Sequence, residues 1–297
     1  MRPADQVAER SELLLSGPAF ALSGLLGVPM PDLEHGQGLP LLWHWVYLLD
    51  RPAQADLGPD GHPVRAPGPA PPEPGRRRMW AGGRVRATGP LICGETATRR
   101  SSVLSVEQKQ GRSGPLTFVV VRHEVLQHGR VVIDEQQDIV YRDPPPSPAA
   151  AVPVVEGPVV ECPVVEGPVV PAGADEWAID VTPTLLFRFS ALTYNAHRIH
   201  YDRDYAREAE GYPGLLTHGP LQALAMAEAA RALEHRAQPR EYRAQSLQYR
   251  LTSPLFDHQG MVVRAVRDQD VTTTAVRDLR GRQTASATLR GLPSSPA

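Results

Sequence analysis

A proline recurs at every fifth position, 153, 158, 163 and 168, within the run DPPPSPAAAVPVVEGPVVECPVVEGPVVP from Asp143 to Pro171. Proline lacks a backbone donor and clashes with the preceding turn, so no helix continues through such a run and no central strand keeps its ladder. The five-residue repeat, Pro-Val-Val-Glu-Gly with small variations, reads as an extended, polyproline-like spacer. It divides the 297 residues into an N-terminal unit over 1–142, a linker over 143–176 and a C-terminal unit over 177–297. That length suits two compact units, each with apolar material for a core.

The charge balance narrows the function. With 31 basic and 33 acidic residues the formal net charge is −2, and no global field exists to hold nucleic acid or an anionic membrane. Lys109 is the only lysine; a GC-rich coding bias explains this more simply than thirty bidentate anion sites. Cys93 and Cys162 do not make a disulfide scaffold. No run reaches the ~18 apolar residues of a membrane helix. Leu13 to Met30 could pass for a signal-peptide core, but Asp5, Glu9 and Glu12 stand against Arg2 and Arg10, so a positive n-region is missing. The expectation is a soluble, cytoplasmic protein.

Both units follow one order. In the first, Leu39 to Leu49 is apolar on every side, which a helix tolerates only when enclosed. Strand-like runs follow at Leu116 to Val125 and Val131 to Arg142, with Ile92 to Gln108 alternating until Arg99-Arg100. In the second, a strand-like run from Thr184 to Leu192 leads into a polar loop. A helix then starts at Gly219, with Pro220 in its first turn. Further strands are expected at Tyr242 to Leu251, Gly260 to Arg267, Val271 to Leu279 and Gln283 to Arg290. The fold class is α+β, one unit used twice, each a buried helix with antiparallel strands.

The polar loop carries the chemistry. It reads Tyr194-Asn195-Ala-His197-Arg198-Ile-His200-Tyr-Asp202, and His218-Gly219 precede the helix. A histidine near a helix N-terminus suits acid/base work near neutral pH. The unpaired amides at the helix start, beginning with Gly219, suit an oxyanion. His197 and His200 with Asp202 have neither an HExxH helix nor a cysteine pair to complete a metal set, so no metal is expected. Gly-x-Ser-x-Gly, Gly-x-Gly-x-x-Gly and P-loop patterns are absent.

The stretch FRFSALTYNAHRIHYDRDYAREAEGYPGLLTHGPL, Phe187 to Leu221, resembles the MaoC-like hydratase/dehydratase family of hotdog enzymes that act on acyl thioesters. It is most similar to the branch with mesaconyl-CoA and itaconyl-CoA hydratases and mitochondrial-type 3-hydroxyacyl thioester dehydratases. LPLLWHWVYLLD, GHPV, RRRMWAGGRVR and GRSGPLTFVVVRHEV resemble the partner domain of that branch. The resemblance implies a double hotdog, with a non-catalytic N-terminal unit that shapes the acyl pocket. It also implies an acyl-CoA substrate, and no metal, flavin or nicotinamide.

The family's catalytic loop is Asp-x-Asn-Pro-x-His. His200 falls on its histidine, His197 on its asparagine, Arg198 on its proline and Asn195 on its aspartate. His218-Gly219 fall on the His-Gly whose glycine amide holds the thioester oxygen. Asn195 cannot exchange a proton as aspartate does, which leaves His200 to serve both proton steps with Asn195 orienting water. Asp202 is a second acid/base candidate, with a capping role as the alternative. Arg198 in this loop suits a substrate with a free carboxylate. The function implied is water addition to a C5-dicarboxylic enoyl-CoA. A fatty 3-hydroxyacyl dehydratase or a non-catalytic thioester-binding subunit are the rivals. Two units in one chain mimic the usual dimer, so a monomer and a homodimer both fit.

Overall fold

Among the described residues, runs of β-branched and alternating residues pair into one antiparallel sheet of ten strands. The computed structural model describes residues 7–33, 37–64, 76–111, 114–143, 172–237 and 244–292. The Pro-Val repeat and Cys162 lie outside them.

The first half runs β1 (Ala8–Leu13), α1 (Ser16–Leu26), β2 (Arg77–Ala87), β3 (Thr96–Gly111), β4 (Gly114–Gln127) and β5 (Arg130–Arg142). The second runs β6 (Glu176–Ile179), α2 (Pro183–Leu192), α3 (Gly219–Ala237), β7 (Gln245–Leu251), β8 (Met261–Asp268), β9 (Val271–Arg277) and β10 (Gln283–Gly291). Strand order is β1-β3-β4-β5-β2-β7-β10-β9-β8-β6. Matching β6 through β10 to β1 through β5, that order reads the same from either end. The halves join where the equivalent strands β2 and β7 pair, Gly82 opposite Arg250 through Ala87 opposite Gln245. The chain is a double hotdog. One apolar core spans both halves, from Leu14 and Trp43 to Met261 and Leu289. Among the described residues no helix is long and apolar enough to cross a membrane.

Three elements differ from their sequence reading. Thr184 to Leu192 is not a strand but lies in helix α2. Thr182 caps it by accepting from the Leu185 amide at 3.1 Å, Pro183 opens it, and the buried Leu186, Phe189 and Ser190 keep helical spacing. Leu39 to Leu49 is not a helix but holds only a 3-10 turn, Trp43–Val46. Leu42 and Leu48 on either side have φ of 70° and 53°, outside the helical region. The enclosure expected of this run does hold: Leu42, Trp43 and Leu48 are buried, and the Trp43 indole donates to Glu228 Oε1 of α3 at 2.7 Å. Finally, β3 does not break at Arg99-Arg100. These arginines pair with Asp50 and Glu9, and the irregularity falls between Val103 and Ser105.

The two hotdogs are filled differently. The 19-residue α3 packs against β8, β9 and β10 of its own half. In the first half, Val121, His123 and Val125 of β4 and Glu135, Gln137 and Ile139 of β5 share one face, by the two-residue period of a strand. That face lines a cavity of about 910 Å³.

Candidate active site

Helix α2 ends in a way that aims the polar loop. The amide of Asn195 donates to Ser190 O at 2.8 Å and that of Tyr194 to Ala191 O at 3.3 Å. Tyr194 takes the left-handed conformation, φ 52°, where glycine is usual in such a cap. Asn195 then turns the chain, its Oδ1 accepting from the His197 amide at 3.0 Å. Asn195 and His197 both stand on the cavity wall.

Behind them lies a file of imidazoles. His197 meets His200 edge-on at 5.5 Å between ring centroids, and His200 stacks on His218 at 3.7 Å. His218 Nε2 bonds Ser190 Oγ at 2.9 Å, and its buried Nδ1 has no partner among the described residues. His200 Nδ1 bonds the Leu216 carbonyl at 2.7 Å. A carbonyl only accepts, so Nδ1 carries the hydrogen and the neutral ring keeps its lone pair on Nε2. Burial disfavours the imidazolium and brings the His200 pKa down to about 4; it lowers those of His197 and His218 as well, and the neighbouring rings add to this. All three are neutral bases at pH 7.

Gly219 opens α3, and Pro220 beside it touches the cavity. A Cβ on Gly219 would come within 2.3 Å of Leu251 Cδ1, so a larger residue would push on the helix start. The first-turn amides of α3 have no intrahelical acceptor and point out of the helix N-terminus.

Arg198 and Asp202 lie off the cavity wall. The guanidinium makes two bonds to Asp202 Oδ2, at 2.7 and 3.0 Å, and one to Pro59 O at 3.1 Å, and it lies over the Tyr205 ring. The Asp202 carboxylate also accepts from the Tyr205 amide at 3.0 Å and is held below its ordinary range by that bond and by Arg198. This pair fixes the loop.

The structure adds residues from the N-terminal half that the sequence reading did not single out. The segment 56–64 folds back on itself, with the Val64 amide bonded to Asp56 O at 2.8 Å. It docks on the polar loop, where the Arg198 amide donates to Asp60 O at 2.9 Å. His62 thereby faces His197, the rings 3.9 Å apart. His62 Nδ1 bonds Asp60 Oδ2 at 3.1 Å, and Asp60 Oδ1 accepts the His62 amide at 3.0 Å. One donor atom each from Asp60, His62 and His197 lies within 4.8 Å of the others. Such spacing also suits a metal ion, although the Asp60–His62 hydrogen bond accounts for it without one. Arg78 of β2 lines the same cavity and acts electrostatically on both His62 and His197. Among the described residues it has no hydrogen bond or ion pair, whereas Arg77 pairs with Glu210 and Arg99 with Asp50. GHPV and RRRMWAGGRVR, which hold His62 and Arg78, carried only a resemblance to the partner domain; the turn Pro59-Asp60-Gly61-His62 was the one further signal at His62, and nothing set Arg78 apart from Arg76 and Arg77.

Residues 42–257 match the family described as hydroxyacyl-thioester dehydratase type 2. The chain belongs to this family. It is 48% identical over 215 residues to the mesaconyl-C(4)-CoA hydratase of Chloroflexus aurantiacus, covering 72% of this chain and 71% of that protein. To the mitochondrial hydroxyacyl-thioester dehydratase type 2 of Schizosaccharomyces pombe it is 27% identical over 214 residues, covering 64% and 66%. Among solved structures, HtdX of Mycobacterium tuberculosis covers 97% of this chain and all of its own at a TM-score of 0.64 and 15% identity. A MaoC-like dehydratase from Phytophthora capsici covers 97% and 96% at 0.65 and 15%. A double-hotdog protein of M. tuberculosis covers 98% and 96% at 0.51 and 18%. These structures share the fold. Family membership makes the chain a hydro-lyase, and the hotdog family supplies the thioester class of its substrate.

Proposed function

We propose that the enzyme adds water to the double bond of mesaconyl-C(4)-CoA, giving citramalyl-CoA, and catalyses the reverse. One observation carries the choice of substrate: Arg78 stands on the cavity wall, acts electrostatically on His62 and His197, and has no partner for its guanidinium among the described residues. In this substrate the free carboxylate is bonded to the carbon that receives water. The group that binds it must therefore reach the carbon that receives water, and Arg78 lines the same cavity as Asn195, His62 and His197. A guanidinium is suited to hold a carboxylate through two parallel bonds. The 48% identity to a mesaconyl-C(4)-CoA hydratase supports the same reading.

In this scheme the Gly219 amide receives the thioester oxygen as it gains enolate charge. His200 Nε2 takes the proton from water, and the Asn195 side-chain amide orients that water. The C-terminal half supplies these groups and the N-terminal half most of the acyl cavity. Itaconyl-CoA, an isomer that also carries a free carboxylate, is a second substrate to try.

An ultraviolet assay with mesaconyl-C(4)-CoA, itaconyl-CoA and crotonyl-CoA tests the reading. Loss of enoyl-thioester absorbance with mesaconyl-C(4)-CoA, abolished in His200→Ala, is expected, with citramalyl-CoA formation from itaconyl-CoA read by chromatography. Turnover of crotonyl-CoA alone would move the enzyme to fatty acyl dehydration.

A further inference from the structure

We propose that the N-terminal half supplies a catalytic group, His62, oriented by Asp60, which takes over the proton transfer that Asn195 cannot perform. The inference rests on the hydratase reading above and names a residue of that same site.

Geometry carries it. His62 lines the cavity with its ring 3.9 Å from that of His197, which in turn meets His200 at 5.5 Å. Its Nδ1 is bonded to a carboxylate that also holds its backbone amide. A carboxylate only accepts, so Nδ1 carries hydrogen and Nε2 is the atom left to exchange a proton. This is the arrangement in which an acid orients a histidine and stabilises its charged form. The segment is anchored to the opposite half by the bonds from Arg198 to Asp60 O and Pro59 O. Gly61 makes the approach possible: at φ 87°, a Cβ there would lie 1.8 Å from Ala196 O.

Addition of water to an enoyl thioester requires two proton movements. The water oxygen bonds to Cβ while the π pair moves toward the thioester carbonyl, and the water proton passes to His200 Nε2. His62, as imidazolium, gives its Nε2 proton to Cα, and the enolate returns to the carbonyl. The proton gained by His200 and the proton lost by His62 balance, and exchange with solvent restores both. In dehydration neutral His62 takes the Cα proton, and protonated His200 delivers one to the departing hydroxyl.

Around His62 the titratable and charged groups are Asp60, Arg78, His197 and His200; around Asp60 they are His62, Glu210 and Tyr205. Burial and Arg78 lower the His62 pKa, and Asp60 opposes them. Asp60→Asn keeps an oxygen for the bond at Nδ1 but removes the charge, so it lowers the His62 pKa further. Dehydration needs neutral His62, so the acid limb of its pH profile moves to lower pH.

The test measures kcat and KM for wild type, His62→Gln and Asp60→Asn, in both directions from pH 5 to 9, with thermal melts to confirm folding. For His62→Gln we expect kcat to fall about 10²–10⁴-fold, the range of general acid–base contributions, with KM changed less than roughly threefold. Exchange of Cα hydrogen for solvent deuterium in the hydroxyacyl product should fall in parallel. For Asp60→Asn we expect a smaller loss and the displaced acid limb. Folded His62→Gln with kcat near that of wild type, or Asp60→Asn with an unmoved limb, overturns the proposal. So does loss of wild-type activity to a chelator with recovery on added zinc, which would assign the cluster to a metal. A wild type that turns over no enoyl thioester sinks the hydratase reading itself. Activity that survives in His62→Gln sinks only the dyad.

Discussion

Arginine is so abundant here that the useful distinction is which guanidinium lacks a partner. Arg198 lies inside the loop that the sequence marks as catalytic, yet its donors go to Asp202 and Pro59. Arg78 lies some 120 positions away in sequence on β2, yet it lines the cavity with His62 and His197 and lowers the pKa of both. Loss of a hydrogen bond to a charged group costs roughly 1.5–3 kcal/mol, which is about ten- to a hundredfold in binding. Arg78→Leu should therefore raise KM for mesaconyl-C(4)-CoA by about that factor and leave crotonyl-CoA within roughly threefold, as steady-state kinetics on the two substrates will read. Arg198→Ala should affect both substrates alike, because it loosens a loop that both use. Equal losses from Arg78→Leu would remove the reason for preferring a dicarboxylic substrate. At this scale the sequence revealed His200, Asn195 and Gly219 because they are close together along the chain. It could not reveal Asp60, His62 or Arg78, whose meeting with that loop depends on the pairing of two halves.

Elements were legible where a local signal and burial agreed. Strands β4, β5, β8, β9 and β10 carry β-branched runs that end in turns, and α3 has Pro220 at its start; all lie close to where the pattern puts them. Two signals misled. The alternation in Leu185-Leu186-Phe187-Arg188-Phe189 imitates a strand, while Thr182-Pro183 just before it starts a helix and leaves Phe187 60% exposed. In Leu39 to Leu49 apolarity reports enclosure and says nothing of shape; the left-handed Leu42 and Leu48 confine regular structure to one turn. The segment 56–64 had no periodicity to read, yet it joins the halves at the site. Gly61 is its most sensitive point, since both φ 87° and the contact with Ala196 O exclude a side chain. Gly61→Ala should lower kcat at least tenfold by lifting His62 from His197. The melting temperature should change little, because 56–64 adds few residues to the core. A variant as active as wild type would show that docking of this segment does not matter for turnover.

For the whole molecule, a repeated strand order lets one hotdog keep its helix and the other keep an open face. The sequence suggested two like units; it could not show that they share a sheet and a core, since the β2–β7 pairing has no local signature. Sharing has an electrostatic consequence. Four enclosed imidazoles are neutral in the folded chain at pH 7: His200 and His123, brought down to about 4 chiefly by burial, and His197 and His218, also lowered. In the unfolded chain they protonate near the ordinary value of 6.5. A depressed folded pKa means that the unfolded state binds protons first as pH falls. The stabilisation is thus fully present above pH 6.5 and is lost progressively down to about 4. Glu135 continues the loss at lower pH: burial raises its pKa, but the His44 bond and the His44 and His123 charges hold it at about 2, against 4.5 when free. Calorimetric melts at pH 7.5, 5.5 and 4.5 should show a steep fall in Tm across this window, with little change from 7.5 to 8.5. His200→Gln removes one of the four histidines and should make the fall shallower, even if its Tm at pH 7.5 is lower. A Tm independent of pH between 7.5 and 4.5 would mean that these histidines protonate without opening the fold. The neutral file of rings behind the active site could not then be what burial makes it.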